Sequence, residues 1–133
     1  MAYEATLYIE TSAPISMTCA DGVGIEKGAL LVLSDPFTAA AHTAAADGMI
    51  AGIAQSEKIA SDGITKISVY RSGIFKVTAS GAISVGEPCA LSSAINKVKL
   101  VTTLFSGSRS IGLALETAAD GETFLMELKP GAY

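Results

Sequence analysis

The chain has 133 residues, a length typical of one domain, and half of its residues are hydrophobic. Trp is absent and aromatic residues make up only 6%, so small and β-branched side chains have to build the core. The formal net charge is −4, and the 9 basic residues form no cluster that could neutralise a nucleic-acid backbone. We therefore expect no nucleic-acid partner.

The sequence also has no pattern typical of a targeting or membrane-spanning segment. No basic N-terminal stretch precedes an apolar run, and no apolar run approaches the ~20 residues that span a bilayer. We expect neither a signal peptide nor a membrane partner. The mean hydropathy of +0.46 is high for a soluble monomer, which indicates that copies of the chain or another protein cover part of its surface.

Apolar and polar residues alternate along residues 1–10, which predicts a β-strand with one dry face. The pattern is compatible with a strand paired inside the domain and with an arm that lies across a neighbouring molecule. Residues 11–14 interrupt it, and residues 15–19 predict a second short strand. We place an N-terminal arm or strand at residues 1–14 and a single β domain at residues 15–133.

Two stretches, residues 52–73 and 112–131, resemble copies of one unit. Each begins Gly-Ile/Leu-Ala, passes an acidic residue, reaches Asp-Gly and continues into an apolar run of strand type. Because Asp-Gly reverses the chain at little cost, each copy predicts a β-hairpin. The predicted hairpins pair about 50–56 with about 65–71, and about 110–116 with about 123–129.

Upstream matches at an offset of 60 extend this duplication to about 23–73 and 83–131, with Ile25 matching Val85, Gly28 matching Pro88 and Leu31 matching Leu91. The repeat predicts an all-β chain, a compact β-barrel or sandwich of two similar hairpin-rich lobes with at most one short helix. The Ala-rich segment at residues 36–46 is the exception. Asp35 and Pro36 suit a helix start, so we expect a surface excursion that is helical or loose.

Few side chains offer reactive chemistry. His42 is the single histidine and lies in an Ala/Thr tract, so we expect a solvated loop residue. Cys19 and Cys89 lack any metal-binding spacing and are expected to be buried and reduced, with a disulfide or a metal site as the alternative. Asp62 and Asp120 are the candidates for paired carboxylates, but a turn position beside glycine explains both. We expect no enzyme, no cofactor and no metal.

Five segments in a fixed order carry a resemblance to a known family. They include the motifs Gly-Ile-Ala, Gly-Ile-Phe-Lys-Val and Ile-x-x-Gly-Glu-Pro-Cys-Ala-Leu, and they occupy residues 23–33, 52–54, 73–77, 83–91 and 111–121. In this order they resemble the head-decoration proteins of tailed bacteriophages, also called capsid cement proteins.

The resemblance implies a structural virion protein that binds the outer surface of an assembled phage capsid as an oligomer and stabilises the head. Such proteins commonly sit as trimers, so the implied partners are the major capsid protein and the chain itself as a homotrimer. The implied location is the outer capsid surface, after synthesis in the host cytoplasm. The N-terminal strand and the Ala-rich excursion are the predicted capsid or subunit contacts, through Tyr3, Leu7, Tyr8, Ile9, Phe37 and His42.

Two other classes of function remain open at this point. The internal duplication is compatible with a cytoplasmic β-domain that binds a small ligand, such as a sugar, between its two lobes. The absence of Trp weighs against this alternative, because carbohydrate platforms favour Trp and Tyr. An enzyme would have to use His42, Asp62 or Asp120.

Overall fold

The computed structural model describes residues 3–43, 49–101 and 110–130. In these residues the regular secondary structure consists of eleven β-strands and includes no helix. In chain order the strands are β1 (Thr6–Ile9), β2 (Ile15–Thr18), β3 (Leu30–Ser34), β4 (Thr38–Ala41), β5 (Ile50–Ala54), β6 (Lys66–Tyr70), β7 (Gly73–Ala79), β8 (Pro88–Leu91), β9 (Lys97–Leu100), β10 (Gly112–Ala114) and β11 (Thr123–Leu128). The predicted all-β class is confirmed.

Ten of the eleven strands form two groups of five with the same connectivity, and β1 lies at the edge of the second group. The first group is a closed barrel in the order β2-β4-β3-β5-β6. The second sheet has the order β1-β7-β11-β10-β8-β9, and a further pairing of β7 with β9 closes its last five strands. Each closing pair is parallel, β2 with β4 and β7 with β9, whereas the other pairings are antiparallel. The predicted fold of two similar lobes is confirmed.

Both hairpins predicted from the repeat are present, β5 with β6 and β10 with β11. Backbone hydrogen bonds, however, correct the upstream alignment. The bridge between Ile25 and Lys58 corresponds to the bridge between Ile83 and Ala118, so Ile25 is equivalent to Ile83 and not to Val85. The offset there is 58 rather than 60, because strand pairing and not residue identity decides which positions are equivalent. The division into an N-terminal arm or strand at residues 1–14 and a single β domain at residues 15–133 stays a prediction.

The glycine that opens each repeat is required by a close approach between two strands. A Cβ atom on Gly52 would lie 2.2 Å from the carbonyl oxygen of Tyr70, and one on Gly112 would lie 2.2 Å from that of Glu127. Real Cβ atoms do not approach backbone oxygens so closely, so only glycine lets each hairpin close at this position. The repeated Gly-x-Ala motif therefore reflects strand packing.

Small side chains fill the first barrel, as the composition predicts. Its buried cluster contains four alanines, together with Met17, Cys19, Ile25, Leu31, Ile67 and Val69. The second cluster is larger and also joins the barrels, because Leu30, Ile53 and Tyr70 of the first barrel pack with side chains of the second. The rings of Tyr70 and Phe75 meet edge to face with centroids 5.5 Å apart, a favourable aromatic geometry.

A buried polar link also connects the two barrels, and His42 belongs to it. The backbone N–H of Leu30 donates to Oδ1 of Asn96 over 3.0 Å, and the backbone N–H of Asn96 donates to Nδ1 of His42 over 3.0 Å. The backbone N–H of His42 donates to the carbonyl of Leu30, which completes the link. His42 is 1% exposed, so the prediction of a solvated loop histidine is wrong. Nδ1 of His42 accepts a hydrogen bond from Asn96, which lies 54 residues away in the sequence. No local sequence pattern reveals so distant a partner.

The Ala-rich segment also differs from the prediction of a helical or loose excursion. Residues 38–41 form β4, which pairs with β3 along four positions. Ala39 is buried in the first barrel because a small side chain is what fits there. The high intrinsic helix propensity of the alanines is overridden by strand pairing with an apolar neighbour. Residues 44–46 of the predicted excursion lie outside the described residues.

We expect Asn96→Gly to destabilise the fold by about 1–3 kcal/mol, because it leaves the buried N–H of Leu30 without its acceptor. Glycine suits the positive φ of 61° at this position, so the backbone itself is not strained. Urea unfolding followed by circular dichroism measures the change.

Ser61→Gly is the matched control, because Ser61 has the same φ of 61° and is exposed. It should change the unfolding free energy by less than ~0.5 kcal/mol. If Asn96→Gly and Ser61→Gly have equal effects, the link between the barrels contributes nothing to stability.

Candidate functional site: the exposed N-terminal strand

Strand β1 pairs antiparallel with β7, which decides between the two arrangements left open by its sequence. Thr6 lies opposite Lys76 and Leu7 opposite Phe75, but Ile9 lies opposite Ile74, so Tyr8 is the extra residue of a β-bulge. All four residues of β1 are exposed. The expected dry face is therefore absent from the strand, and only Ala5, which precedes it, is buried.

Several contacts fix the chain on both sides of β1. Before the strand, the N–H of Ala5 donates to the carbonyl of Gly28 over 2.7 Å, and Nζ of Lys97 lies 4.1 Å from the ring centroid of Tyr3. After it, the Tyr70 hydroxyl donates to Oε2 of Glu10 over 3.1 Å. Burial, with a smaller contribution from the nearby carboxylate, raises the pKa of Tyr70. The segment is thus held in place while its apolar side chains face solvent.

The structure brings four of the six predicted contact residues together in one segment of seven residues. Tyr3 is 52% exposed, Leu7 39%, Tyr8 63% and Ile9 48%. Phe37 is also exposed, at 58%, but lies between β3 and β4 in the first barrel. His42 is buried and cannot contact a partner from this conformation, so we remove it from the contact set.

The bulge at Tyr8 limits how this edge strand can be used. A regular edge strand offers a row of unpaired N–H and C=O groups to which another strand can add. A bulge interrupts that row, increases the local twist and changes the direction of a side chain. Strand β1 is therefore better suited to contacts through its side chains than to a continuous backbone ladder with another chain.

Sequence reasoning missed Lys58, whose ammonium group supports the turns at one end of the first barrel. Nζ of Lys58 lies 3.2 Å from Oδ1 of Asp21 and 2.9 Å from Oδ1 of Asp62, and the residue is 3% exposed. Burial alone would lower its pKa, but the hydrogen bonds to Asp62 and Asp21 outweigh that effect and raise it. The backbone hydrogen bond from Ile64 and the contact with Lys58 lower the pKa of Asp62.

In the described part of the second barrel, Ala118 occupies the position equivalent to Lys58, so the ammonium group at the centre of the network has no counterpart there. A comparison of the two repeats would have revealed Lys58, because it is a charged residue in one copy and an alanine in the other. The turns that Lys58 holds carry three exposed aliphatic side chains that the sequence reading did not single out, Val23, Ile59 and Ile64.

The candidate carboxylate pair is not brought together. Asp62 binds Lys58 in the first barrel, whereas Oδ1 of Asp120 accepts the N–H of Gly81 in the second. Both are turn residues beside glycine, which is the role that the sequence analysis offered in place of catalysis. In the parts of the chain that the structure describes, no group of three His, Cys, Asp or Glu side chains could hold a metal ion.

Both cysteines are buried, as predicted. Cys19 belongs to the core of the first barrel and Cys89 to the second cluster, and neither forms a disulfide. Burial raises the pKa of Cys89 to about 12. No helix within residues 3–43, 49–101 and 110–130 is long and apolar enough to cross a membrane.

Comparisons with known proteins agree with this geometry. A sequence model of the family described as phage cement protein matches residues 9–129. A solved structure titled as the head fiber gp8.5 N base of bacteriophage phi29 superposes with a TM-score of 0.58 at 16% identity. That alignment covers 87% of this chain and 94% of the other, and it shows a shared fold. No curated protein sequence matches the chain.

The two barrels define an all-β protein that carries an exposed apolar strand at the edge of its second sheet. The match over most of the chain then identifies the family, because the chain belongs to the phage cement proteins. The resemblance carried by the five ordered segments is thereby confirmed. A structural role in a phage capsid follows from that membership.

We expect Asp62→Asn to lower the melting temperature at pH 7 by a few degrees, because it removes a charge bound to Lys58. The carboxylate has a pKa below its ordinary 3.8 when folded, so it stabilises the fold above about pH 4. That stabilisation is lost as the pH falls through the lowered pKa. The difference between wild type and variant should therefore shrink as the pH is lowered below 3.8, as thermal unfolding over a pH series measures.

Asp120→Asn is the matched control, because Asp120 occupies the other Asp-Gly turn without a lysine at the equivalent position. It should lower the melting temperature at pH 7 by less than Asp62→Asn does. Equal losses from the two variants would contradict a stabilising role for the Lys58 network.

Proposed function

We propose that this protein decorates the outer surface of an assembled phage head as an oligomer, and that its binding reinforces the shell. The observation that carries the proposal is the N-terminal segment, in which Tyr3, Leu7, Tyr8 and Ile9 are exposed although their backbone is held in place. Family membership supports a capsid partner. The major capsid protein is accordingly the proposed partner, together with copies of the chain.

The physical driving force in this proposal is burial of apolar surface. Removal of apolar area from water contributes roughly 25 cal/mol per Å². An exposed Tyr or Ile that is already held by its backbone loses little further chain entropy on binding, so more of this gain remains as affinity. The N-terminal segment, whose backbone is already held in place, is therefore a better contact element than a loose arm of the same composition.

Repetition over a lattice supports a cementing role for weak individual contacts. A chain that engages several capsid subunits or several copies of itself gains avidity without a large single interface. A protein that binds the assembled shell in preference to free subunits stabilises that shell by linkage. Both arguments apply to a trimer at a threefold position, which is the oligomer that we propose.

We expect Tyr8→Ser combined with Ile9→Ser to weaken co-sedimentation with empty heads by at least ~10-fold, because both side chains would be buried in the contact. Neither residue belongs to a buried cluster, so the fold should be retained. Sedimentation across a concentration series, followed by gel densitometry, gives the affinity.

Val85→Ser is the control, since Val85 is 58% exposed but lies in the second barrel before β8. It should leave the affinity for heads within about twofold of the wild type. A similar loss from Val85→Ser would place the contact elsewhere or make it unspecific.

Removal of residues 1–12 should leave both barrels folded, because β7 keeps its pairing with β11 and with β9. The truncated chain should show the circular dichroism spectrum of a β protein but should bind heads poorly. Light scattering should give a trimer for the full chain. A collapsed spectrum would make the segment part of the core, and a monomer that ignores heads at micromolar concentration would contradict the proposal.

A further inference from the structure

The two barrels meet at their junction through surfaces that are not equivalent. The second barrel contributes Phe75 of β7 and Asn96, which directly precedes β9, and we call this surface the front face of a barrel. The first barrel contributes Leu30 and Ile53, and we call this surface the rear face. Oδ1 of Asn96 accepts the N–H of Leu30, and the ring of Phe75 meets that of Tyr70. The front face of the first barrel and the rear face of the second are therefore not used at the junction.

Strand pairing identifies Phe37 as a front-face residue of the first barrel. Phe37 directly precedes β4, which closes the first barrel by pairing with β2, just as Asn96 directly precedes β9, which pairs with β7. Both residues have a left-handed backbone, with φ of 48° at Phe37 and 61° at Asn96. The two positions are therefore equivalent, but Asn96 is buried at the junction whereas Phe37 is exposed.

Ile15 of β2 is the equivalent of Phe75, the other front-face residue. The N–H of Cys19 donates to the carbonyl of the residue before β6, and the N–H of Ala79 donates to the carbonyl of the residue before β11. Cys19 and Ala79 are thus equivalent, and the offset of 60 between them matches Ile15 with Phe75. Ile15 is 40% exposed, whereas Phe75 is buried. The front face of the first barrel is therefore apolar and accessible.

The residue type at Phe37 is costly for the isolated chain. A left-handed backbone suits glycine and asparagine and is unfavourable for a bulky aromatic residue. Asn96 meets this requirement, whereas Phe37 does not, and the exposed ring of Phe37 gains little burial in return. Backbone strain that the fold itself does not require points to a function of the residue. A partner that buries the ring of Phe37 compensates for the strain.

Pro88 and Leu113 form the rear face of the second barrel. Pro88 lies opposite Leu113 in the same way as Leu30 lies opposite Ile53. The carbonyls of Pro88 and Leu30 also accept equivalent hydrogen bonds, from the residue after β9 and from the residue after β4. Leu30 and Ile53 are buried, whereas Pro88 and Leu113 keep part of their surface exposed. A partner can therefore reach the rear face of the second barrel.

The two unused faces differ from the junction by a matched pair of changes. At the junction the side-chain oxygen of Asn96 accepts the N–H of Leu30. The equivalent residues are Phe37, whose side chain cannot accept a hydrogen bond, and Pro88, whose backbone has no N–H. If only one of the two had changed, a contact between the faces would bury an unpaired polar group. Because both have changed, the two faces can pack together without that cost.

We propose that copies of this chain associate front to rear, with Phe37 and Ile15 of one copy packed against Pro88 and Leu113 of the next. This inference rests on the proposed oligomer and names the surfaces through which its copies meet. Contacts between two different surfaces close into a ring when the rotation at each contact permits it. Three copies form the ring that corresponds to the proposed trimer.

Sedimentation velocity of the full-length chain without phage heads, from micromolar to millimolar concentration, tests this contact. Phe37→Asn introduces the residue type of the second barrel. It should weaken association at least ~10-fold, because the aromatic anchor is lost. At a concentration where the wild type is monomeric, the melting temperature of the variant should not fall, since asparagine tolerates the left-handed backbone. Loss of association is thereby separated from loss of fold.

Ile59→Asn is the matched control. Ile59 is exposed, and its equivalent in the second barrel, Ala119, is also exposed rather than buried at the junction. The control should leave association within about twofold of the wild type. An equal loss from Phe37→Asn and Ile59→Asn would overturn the proposal, because exposed apolar side chains would then act without regard to their position.

A compensating pair of substitutions tests whether Phe37 meets Pro88. Pro88→Leu alone should weaken association about 10-fold, because it places an N–H without an acceptor in the contact. Combined with Phe37→Asn, it should give association at least ~3-fold tighter than either single variant. The reason is that the pair reproduces the hydrogen bond that joins Asn96 and Leu30 inside the chain.

Three results overturn the proposal. They are unchanged association in Phe37→Asn, a double variant that associates no more tightly than the single variants, and a full-length chain that is monomeric throughout the concentration range. All three concern the chain in isolation. Co-sedimentation with heads judges capsid decoration independently, so failure of the front-to-rear contact and failure of the proposed function are distinguishable.

Discussion

Apolar burial between the two barrels is the interaction on which the rest of the molecule depends. Four of the ten buried residues in the cluster of the first barrel are alanines, so this cluster buries less apolar area than the larger one. The larger cluster, which includes Leu30, Tyr70 and Phe75, spans the junction and ties the barrels together. The buried link through Asn96 and His42 then fixes their relative position, since its polar groups are satisfied only across the junction.

This junction also explains the position of the N-terminal strand. Strand β1 pairs with β7 of the second barrel, while the residue before it bonds to Gly28 of the first. The segment therefore lies across both barrels and holds its apolar side chains outward on a rigid support. Family membership indicates a capsid partner, and the exposed strand is the surface that we propose for the contact. The arrangement needs no reactive group to act, because association is its proposed function.

The features that the sequence predicted are local ones. Both hairpins were predictable because Asp-Gly turns and alternating strands act over about twenty residues, and the repeat followed from comparing them. The parallel closures between β2 and β4 and between β7 and β9 join segments too far apart for such patterns. His42 and Lys58 show the same limit, since each is buried beside a partner distant in the chain. Of the predicted contact set, the four residues of the N-terminal segment lie together because they share one stretch of seven residues.

The N-terminal segment is the proposed contact surface of this protein on an assembled head. Electron cryo-microscopy of heads decorated with the full-length chain tests this claim most directly, at a resolution that shows side chains. We predict that the protein lies on the outer surface with Leu7, Tyr8 and Ile9 buried against the shell or a neighbouring copy. A decorated head in which these three side chains face solvent would contradict the account.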